Sequence, residues 1–344
     1  MLIDFCIPRD IRSWLFPIIR WRENLISKGF EVRIISRPQA RQRVAADCVV
    51  LTDKYYRRKF STNHEFFAGS KELISRDVEA IRAKGSSVIF FDLGASPACR
   101  WLWLLDHVDL VLKRQLFLDR GMYRSEHYIN PWVPGDCRIA DGREDVDVGR
   151  LRLGWNIGYW DYAGTNRIAR KLGYLNTSFP SLTSLKADRE FITGFRGGVS
   201  GSRSFQRKKL VDIISSRKPD KYIVGQPIKR RYYNQELRNM KVLVSPFGYG
   251  EICFRDFEAV VNGCGLIKPT MIHLDTFPDF FNEYETYIPC EWGLSDLPDL
   301  LDSIEKEESD YRKVAEKAQR QYRELYDSFD YFFLHFKELF ESVY

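Results

Sequence analysis

Between Ser245 and Pro269 the chain concentrates residue types that hold anions. The run Ser245-Pro-Phe-Gly-Tyr-Gly-Glu-Ile-Cys-Phe-Arg-Asp-Phe-Glu-Ala259 leads to Asn262-Gly-Cys-Gly-Leu-Ile-Lys-Pro269. A β-rich run that enters a Pro/Gly turn and then a helix directs backbone N–H groups past the strand end, an arrangement suited to a diphosphate. Gly248, Tyr249 and Gly250 make that turn. Glu251, Arg255, Glu258 and Asn262 are spaced +4, +3 and +4, which predicts a helix from about 251 to 262 with these four on one face. Phe254, Phe257 and Val261 make the other face. A guanidinium at 255 fits phosphate oxygens as a bidentate fork, and a carboxylate at 258 accepts hydrogen bonds from two ribose hydroxyls. The spacing equally fits a solvated face with a Glu251–Arg255 ion pair.

A second anion candidate is Gly194-Phe-Arg-Gly-Gly-Val-Ser-Gly201, a glycine-rich loop after a β-rich run. Its backbone can approach a phosphate closely, and Arg196, Arg203 or Arg207 would neutralise the charge. A mobile turn is the alternative reading.

The elements around these motifs alternate. Strands are expected at Leu2 to Phe5, Glu31 to Ser36, Cys48 to Thr52, Val88 to Asp92 and Val108 to Leu112. Helices are expected from about Ile11 to Lys28, ended by Gly29, and from about Ser70 to Ala83. The pattern weakens from about 115 to 186 and then resumes. Strands follow at Glu190 to Thr193, Lys221 to Val224, Lys241 to Ser245 and Gly265 to Lys268, and helices at about 204 to 215, 232 to 240 and 251 to 262. Further helices are expected at about 295 to 306, 309 to 326 and 330 to 341. Strand–helix–strand at this spacing means parallel sheets covered on both faces, an α/β class with two Rossmann-like doubly wound domains whose carboxyl edges face a cleft. The boundaries read 1–185 for the first domain with its crossing segment and 186–326 for the second. Residues 327–344 form a helix that packs back on the first.

Composition narrows the classes. A chain of 344 residues with 44% apolar content can build two cores, and 29% charged residues with no long apolar run argue against a membrane span. A net charge of +6 permits an anionic ligand without demanding nucleic acid. Seven cysteines without a CxxC pair read as a reduced, cytoplasmic protein, and five scattered histidines offer no metal cage.

The block from Ser245 to Ala259, with Gly-Leu-Ile-Lys-Pro269 and His273-Leu-Asp-Thr-Phe-Pro278, resembles the nucleotide-sugar domain of glycosyltransferases with the two-Rossmann GT-B fold. It is most similar to bacterial polysaccharide and exostosin-like members. The resemblance implies transfer of a sugar from a nucleotide diphosphate to a saccharide or lipid-linked saccharide acceptor in surface-polysaccharide synthesis, independent of metal and of any cofactor. It carries Glu258 over as the ribose ligand and Arg255 as the phosphate contact. Gly248, Tyr249, Gly250, Glu251, Arg196, Arg203, Lys268 and Gln226 complete the donor set, with backbone from Val224 to Pro227 reading the base. His273 is either a contact to the sugar or pyrophosphate or a structural residue. Retaining members separate two glutamates by seven residues, whereas six lie between Glu251 and Glu258, which favours inversion.

An inverting transfer needs a group that takes the acceptor hydroxyl proton, and the first domain is its expected source. Asp92, ending Val88-Ile-Phe-Phe-Asp92, is the first candidate, with Asp10 and Asp53 as rivals; helix capping or pairing with a basic side chain is the structural alternative for each. Lys113 and Arg114 end the next run and suit donor phosphates or acceptor charge. Arg9, Arg12, Arg20 and Arg22, mixed with Trp14, Phe16 and Trp21, suit either a peripheral membrane contact or a helix packed on the sheet. Trp155-Asn-Ile-Gly-Tyr-Trp-Asp161 suits stacking on a sugar or bracing of a joint. The alternatives to glycosyl transfer are a non-catalytic nucleotide- or saccharide-binding module of the same fold and a sugar-nucleotide epimerase.

Overall fold

Continuous apolar runs such as Cys48-Val-Val-Leu-Thr52 and Ser87-Val-Ile-Phe-Phe-Asp92 belong in parallel sheets buried on both faces, and the computed structural model places them there. It describes residues 1–8, 14–36, 45–57, 59–129, 139–162, 176–185, 188–199 and 204–344. The chain forms two compact units. One comprises 1–127, 139–179 and 328–344; the other comprises 128–138 and 180–327. Among the described residues no helix is long and apolar enough to cross a membrane.

The first unit holds a six-stranded parallel sheet. Its strands are β1 (Leu2–Cys6), β2 (Glu31–Ile35), β3 (Cys48–Thr52), β4 (Ser87–Asp92), β5 (Leu110–Lys113) and β6 (Leu151–Leu153), in the order β2-β1-β3-β4-β5-β6. The expected helix over 11–28 is two short ones, α1 (Phe16–Arg20) and α2 (Arg22–Ser27), because Trp21 leaves helical geometry between them at φ −106° and ψ 25°. Helix α3 is Asp53–Arg57. Helix α4 (Asn63–Arg82) starts seven residues earlier than expected, at a capping box in which Thr62 Oγ1 accepts from the Glu65 N–H and the Glu65 carboxylate accepts from the Thr62 N–H.

The helix Phe329–Glu341 belongs to this unit. It buries Phe332, Phe336, Leu339 and Phe340, a helical stripe. Ring centroids of Phe332 and Trp21 lie 5.1 Å apart, those of Phe336 and Phe30 5.4 Å, and those of Phe340 and Phe5 5.9 Å. Each such buried side chain stabilises the unit by about 1.5–3 kcal/mol. Trp155 is part of the same cluster, 5.0 Å from Phe91 and 5.7 Å from Phe332, with its indole N–H on the Trp14 carbonyl at 3.0 Å. Trp155 and Tyr159 of the 155–161 segment are thus spent on the core of this unit. Phe16, Ile18 and Trp21 are buried likewise, so the apolar half of the arginine-rich segment faces inward.

In the second unit β7 (Thr193–Arg196) pairs with β8 (Tyr222–Gly225), and β10 (Gly265–Pro269) lies between β9 (Val242–Val244) and β11 (Ile288–Cys290). A parallel bridge between Phe191 and Met240, extended by the Val242 N–H to the Ile192 carbonyl at 3.0 Å, joins the two groups in the order β8-β7-β9-β10-β11. Helices α5 (Ser204–Ser215), α6 (Arg230–Arg238), α7 (Phe254–Val261), α8 (Leu297–Glu305) and α9 (Tyr311–Tyr326) complete it; Phe329–Glu341 is then α10. In both units the first strand is interior and strand order reverses beside it, between β1 and β3 and between β7 and β9. In doubly wound sheets ligands bind at the carboxyl side of that reversal.

Candidate functional site

The loop that follows β9 lies at this reversal, and a buried charge cluster holds it. Asp256, in the first turn of α7, accepts from Ser245 Oγ at 2.5 Å and from the Cys253 N–H at 2.8 Å. Lys268 Nζ, from β10, lies 3.1 Å from the same carboxylate and donates to the Glu251 carbonyl at 2.5 Å. Asp256 and Lys268 have no exposed side-chain surface, so each charge depends on the other. The Phe247 N–H donates to Gln206 Oε1 at 2.8 Å, and Arg255 Nη2 to the Pro246 carbonyl at 2.9 Å. Gly248 is a position of close approach: a Cβ there would lie 3.2 Å from Cys253 Sγ and 3.7 Å from Arg207 Nη2. Together these contacts gather the N-terminus of α7, Arg255 of α7 and Arg207 of α5 around one braced loop that carries Gly248 and Gly250.

Helix α7 begins at Phe254, three residues later than its spacing suggests. Glu251 therefore lies in the loop, off the helical face that its spacing suggests. It is fully buried, with Oε1 3.6 Å from His273 Nε2. Arg255 and Glu258 do share a face of α7. Arg255 is half-buried, and among the described residues its Nε has no hydrogen-bond partner. Glu258 is half-buried as well, and its carboxylate makes no hydrogen bond or ion pair among the described residues. Burial pushes its pKa up against the pull of Arg230 and Arg255. Tyr233 of α6 sits in the same electrostatic environment, its pKa raised by burial and by Glu258. An ordered carboxylate kept partly from water and left unengaged can accept hydrogen bonds from neutral hydroxyls.

The other expected donor residues divide between this loop and positions outside it. Arg196 is committed to Glu236, with Nη2–Oε1 at 2.5 Å and Nε–Oε2 at 2.9 Å, and a Cβ at Gly225 would meet its guanidinium. Arg207 is buried beside Gly248 and donates to the Gly198 carbonyl at 3.3 Å. Lys268 acts inside the loop, as described. Gln226 and Tyr249 are exposed at loop positions. Arg203 falls outside the described residues. Sequence reading missed Gln206, Asp256 and the partnership of Glu251 with His273. An acidic residue three positions after the N-cap Cys253 was a readable sign for Asp256; the other two depend on contacts distant in sequence.

In the first unit, the carboxyl ends of β3, β4 and β5 bring together Asp53, Asp92 and Lys113, whereas Asp10 lies outside the described residues. Lys113 Nζ is 2.6 Å from Asp92 Oδ2, both groups buried, and the Gly94 N–H donates to Asp92 Oδ1 at 2.8 Å. Arg114 donates to the Gly94 carbonyl at 3.2 Å, its guanidinium stacked 4.3 Å from the centroid of the Trp14 ring. Burial works to raise the Asp92 pKa, but Lys113 and the Gly94 N–H outweigh it and hold the carboxyl below its ordinary value. Asp53 moves the other way: burial, reinforced by Asp92, raises it despite Lys54 at 2.9 Å. The Leu93 N–H occupies Asp53 Oδ1 at 3.0 Å. Of the two neighbours, Asp53 therefore has the higher proton affinity.

The depressed Asp92 pKa has a consequence for stability. Its contribution is present above the unfolded value near 4 and is lost as pH falls through the lower folded value. Urea midpoints measured between pH 6 and pH 3 are expected to drop at the acid end, and Lys113→Met is expected to remove that part of the drop. Parallel curves for the two proteins would show that the pair does not carry the effect.

No family model matches the chain, and neither does any curated protein. Solved structures do match. An α-glucosyltransferase (AGT) in complex with UDP aligns at a TM-score of 0.52 and 10% identity, over 98% of this chain and 99% of that one. An α-glucosyltransferase bound to UDP and a 13-mer DNA gives the same score and identity over 100% and 99%. The fold is GT-B. HepE from Anabaena in complex with UDP-glucose aligns at a TM-score of 0.50 and 10% identity, over 99% of this chain and 100% of that one. At such identities the likeness concerns GT-B architecture alone.

Proposed function

We propose that this chain is a glycosyltransferase that moves a sugar from a nucleotide diphosphate to a saccharide or lipid-linked saccharide acceptor, with inversion and without a metal, in surface-polysaccharide assembly. The observation that carries the reading is Glu258, an unengaged half-buried carboxylate on α7. It lies one helical turn from Arg255, beyond a loop fixed by the Asp256–Lys268 pair. Glu258 binds the ribose hydroxyls, while Arg255, Arg207 and the N-terminus of α7 offset the diphosphate charge. The acceptor oxygen attacks the anomeric carbon, the bond to the phosphate oxygen breaks with its electron pair passing to the diphosphate, and Asp53 takes the acceptor proton. The GT-B fold, shared with proteins solved with UDP or UDP-glucose, supports the donor class.

Calorimetry with uridine, guanosine and thymidine diphosphates and their sugars tests the site. Glu258→Ala is expected to weaken the nucleotide that binds by about 10-fold, the order expected for lost hydrogen bonds to a charged group, with an unchanged circular dichroism spectrum. Equal affinity in both proteins would remove Glu258 from the site. Product analysis tests the reaction: transfer releases the nucleoside diphosphate and makes a glycoside, whereas epimerisation changes only the sugar and a binding module changes nothing.

A further inference from the structure

Glu251 and His273 come from loops that follow neighbouring parallel strands. Glu251 lies between β9 and α7, His273 follows β10, and the register Val244–Ile267 sets the two loops side by side at the carboxyl edge. Both are braced. Lys268 Nζ holds the Glu251 carbonyl at 2.5 Å. On the other loop, Thr270 Oγ1 donates to Glu283 Oε1 at 2.5 Å, the Met271 N–H to Tyr287 Oη at 3.0 Å, and the Leu274 N–H to the Met271 carbonyl at 3.0 Å. Tyr287 Oη in turn donates to Glu283 at 3.1 Å. The two side chains meet asymmetrically: the Glu251 carboxylate is fully buried, whereas the His273 ring is 40% exposed, with Nε2 3.6 Å from Glu251 Oε1.

We propose that Glu251 is a positioning residue that orients His273, and that His273 Nδ1–H donates a hydrogen bond to the terminal phosphate of the bound nucleoside diphosphate. A buried carboxylate 3.6 Å from Nε2, a charge contact longer than a hydrogen bond, orients the ring so that its Nδ1 edge turns to the open side. Arg255 and Arg207 meet the phosphates from the α7 and α5 sides, and His273 adds a donor from the β10 side. This role rests on the proposed nucleotide-diphosphate site. It gives Glu251 a place behind the imidazole, where the sequence spacing suggested a place on the α7 face.

The test compares diphosphates with monophosphates by calorimetry, using UDP, GDP and TDP against UMP, GMP and TMP on the full chain. For the base that wild type prefers, His273→Ala is expected to weaken the diphosphate by about 10-fold or more while leaving the monophosphate within about 2-fold. Glu251→Gln keeps the side-chain shape and is expected to shift the diphosphate in the same direction by a smaller factor. His273→Asn, which retains an N–H donor, is expected to recover part of the loss. Glu258→Ala serves as the contrast, since losing a ribose contact weakens both phosphate classes alike. A diphosphate affinity unchanged in His273→Ala, or an equal loss for mono- and diphosphate, would overturn the role of His273 and leave the ribose site standing. A Glu251→Gln protein that matches wild type would overturn the positioning role. Failure of wild type to bind any of the six nucleotides would overturn the nucleotide-sugar reading and this inference with it.

Discussion

Lys268→Met is expected to destabilise the second unit by about 3–5 kcal/mol, the cost of leaving a buried carboxylate without its counter-ion. For a domain of this size that lowers Tm by on the order of 10 °C. Lys268 Nζ sits 3.1 Å from Asp256, neither side chain reaches solvent, and the same ammonium caps the Glu251 carbonyl. Methionine fills nearly the same volume, so the loss isolates the charge. Lys268→Met/Asp256→Leu is expected to regain part of the stability, since two buried charges disappear together, although Ser245 Oγ and the Cys253 N–H then lose their acceptor. Thermal unfolding of the two variants decides the matter. A single variant within about 1 kcal/mol of wild type would show that the pair is solvated in solution.

Asp53→Asn is expected to lower transfer by about 100-fold or more while nucleotide affinity stays the same. The amide oxygen can still accept from the Leu93 N–H, and Lys54, which loses its ion-pair partner, is one-third exposed and can turn to water, so the local fold is kept while the proton-accepting capacity goes. Asp92→Asn is the instructive contrast. It strips Lys113 of its buried partner, and its first effect is on stability. Rate and urea midpoint measured on both variants separate the roles: a stable, inactive Asp53→Asn beside a destabilised Asp92→Asn is the expected pair of results. Full turnover in Asp53→Asn would send the search to Asp10.

Much of the scaffold was legible in the chain because it follows from local periodicity. Cys48–Thr52 was bounded at both ends, and β1, β2, β4 and β10 came within a residue, since parallel strands buried on both faces are uninterrupted apolar runs. Strand β6 escaped notice because three residues carry no period. Trp21 split an apparently continuous helix, and the start of α4 was missed although Thr62 and Glu65 spell a capping box. In the site, the Arg255–Glu258 face was readable from helical spacing. The burial of Lys268 and Glu251, and the commitment of Arg196 to Glu236, were not, because each is decided by a partner far away in the chain. A basic side chain near a strand end looks alike in sequence whether it waits for a phosphate or neutralises a neighbour.

Helix α10 has one more consequence, for the order in which the protein is made. The first unit needs Phe332, Phe336 and Phe340 to cover Trp21, Phe30 and Phe5, yet these are translated after every residue of the second unit. On the ribosome, the body encoded later can close while the one encoded first still exposes an aromatic groove. This chain order permits the reverse of the usual N-to-C succession of domain folding, with the groove uncovered until α10 leaves the exit tunnel.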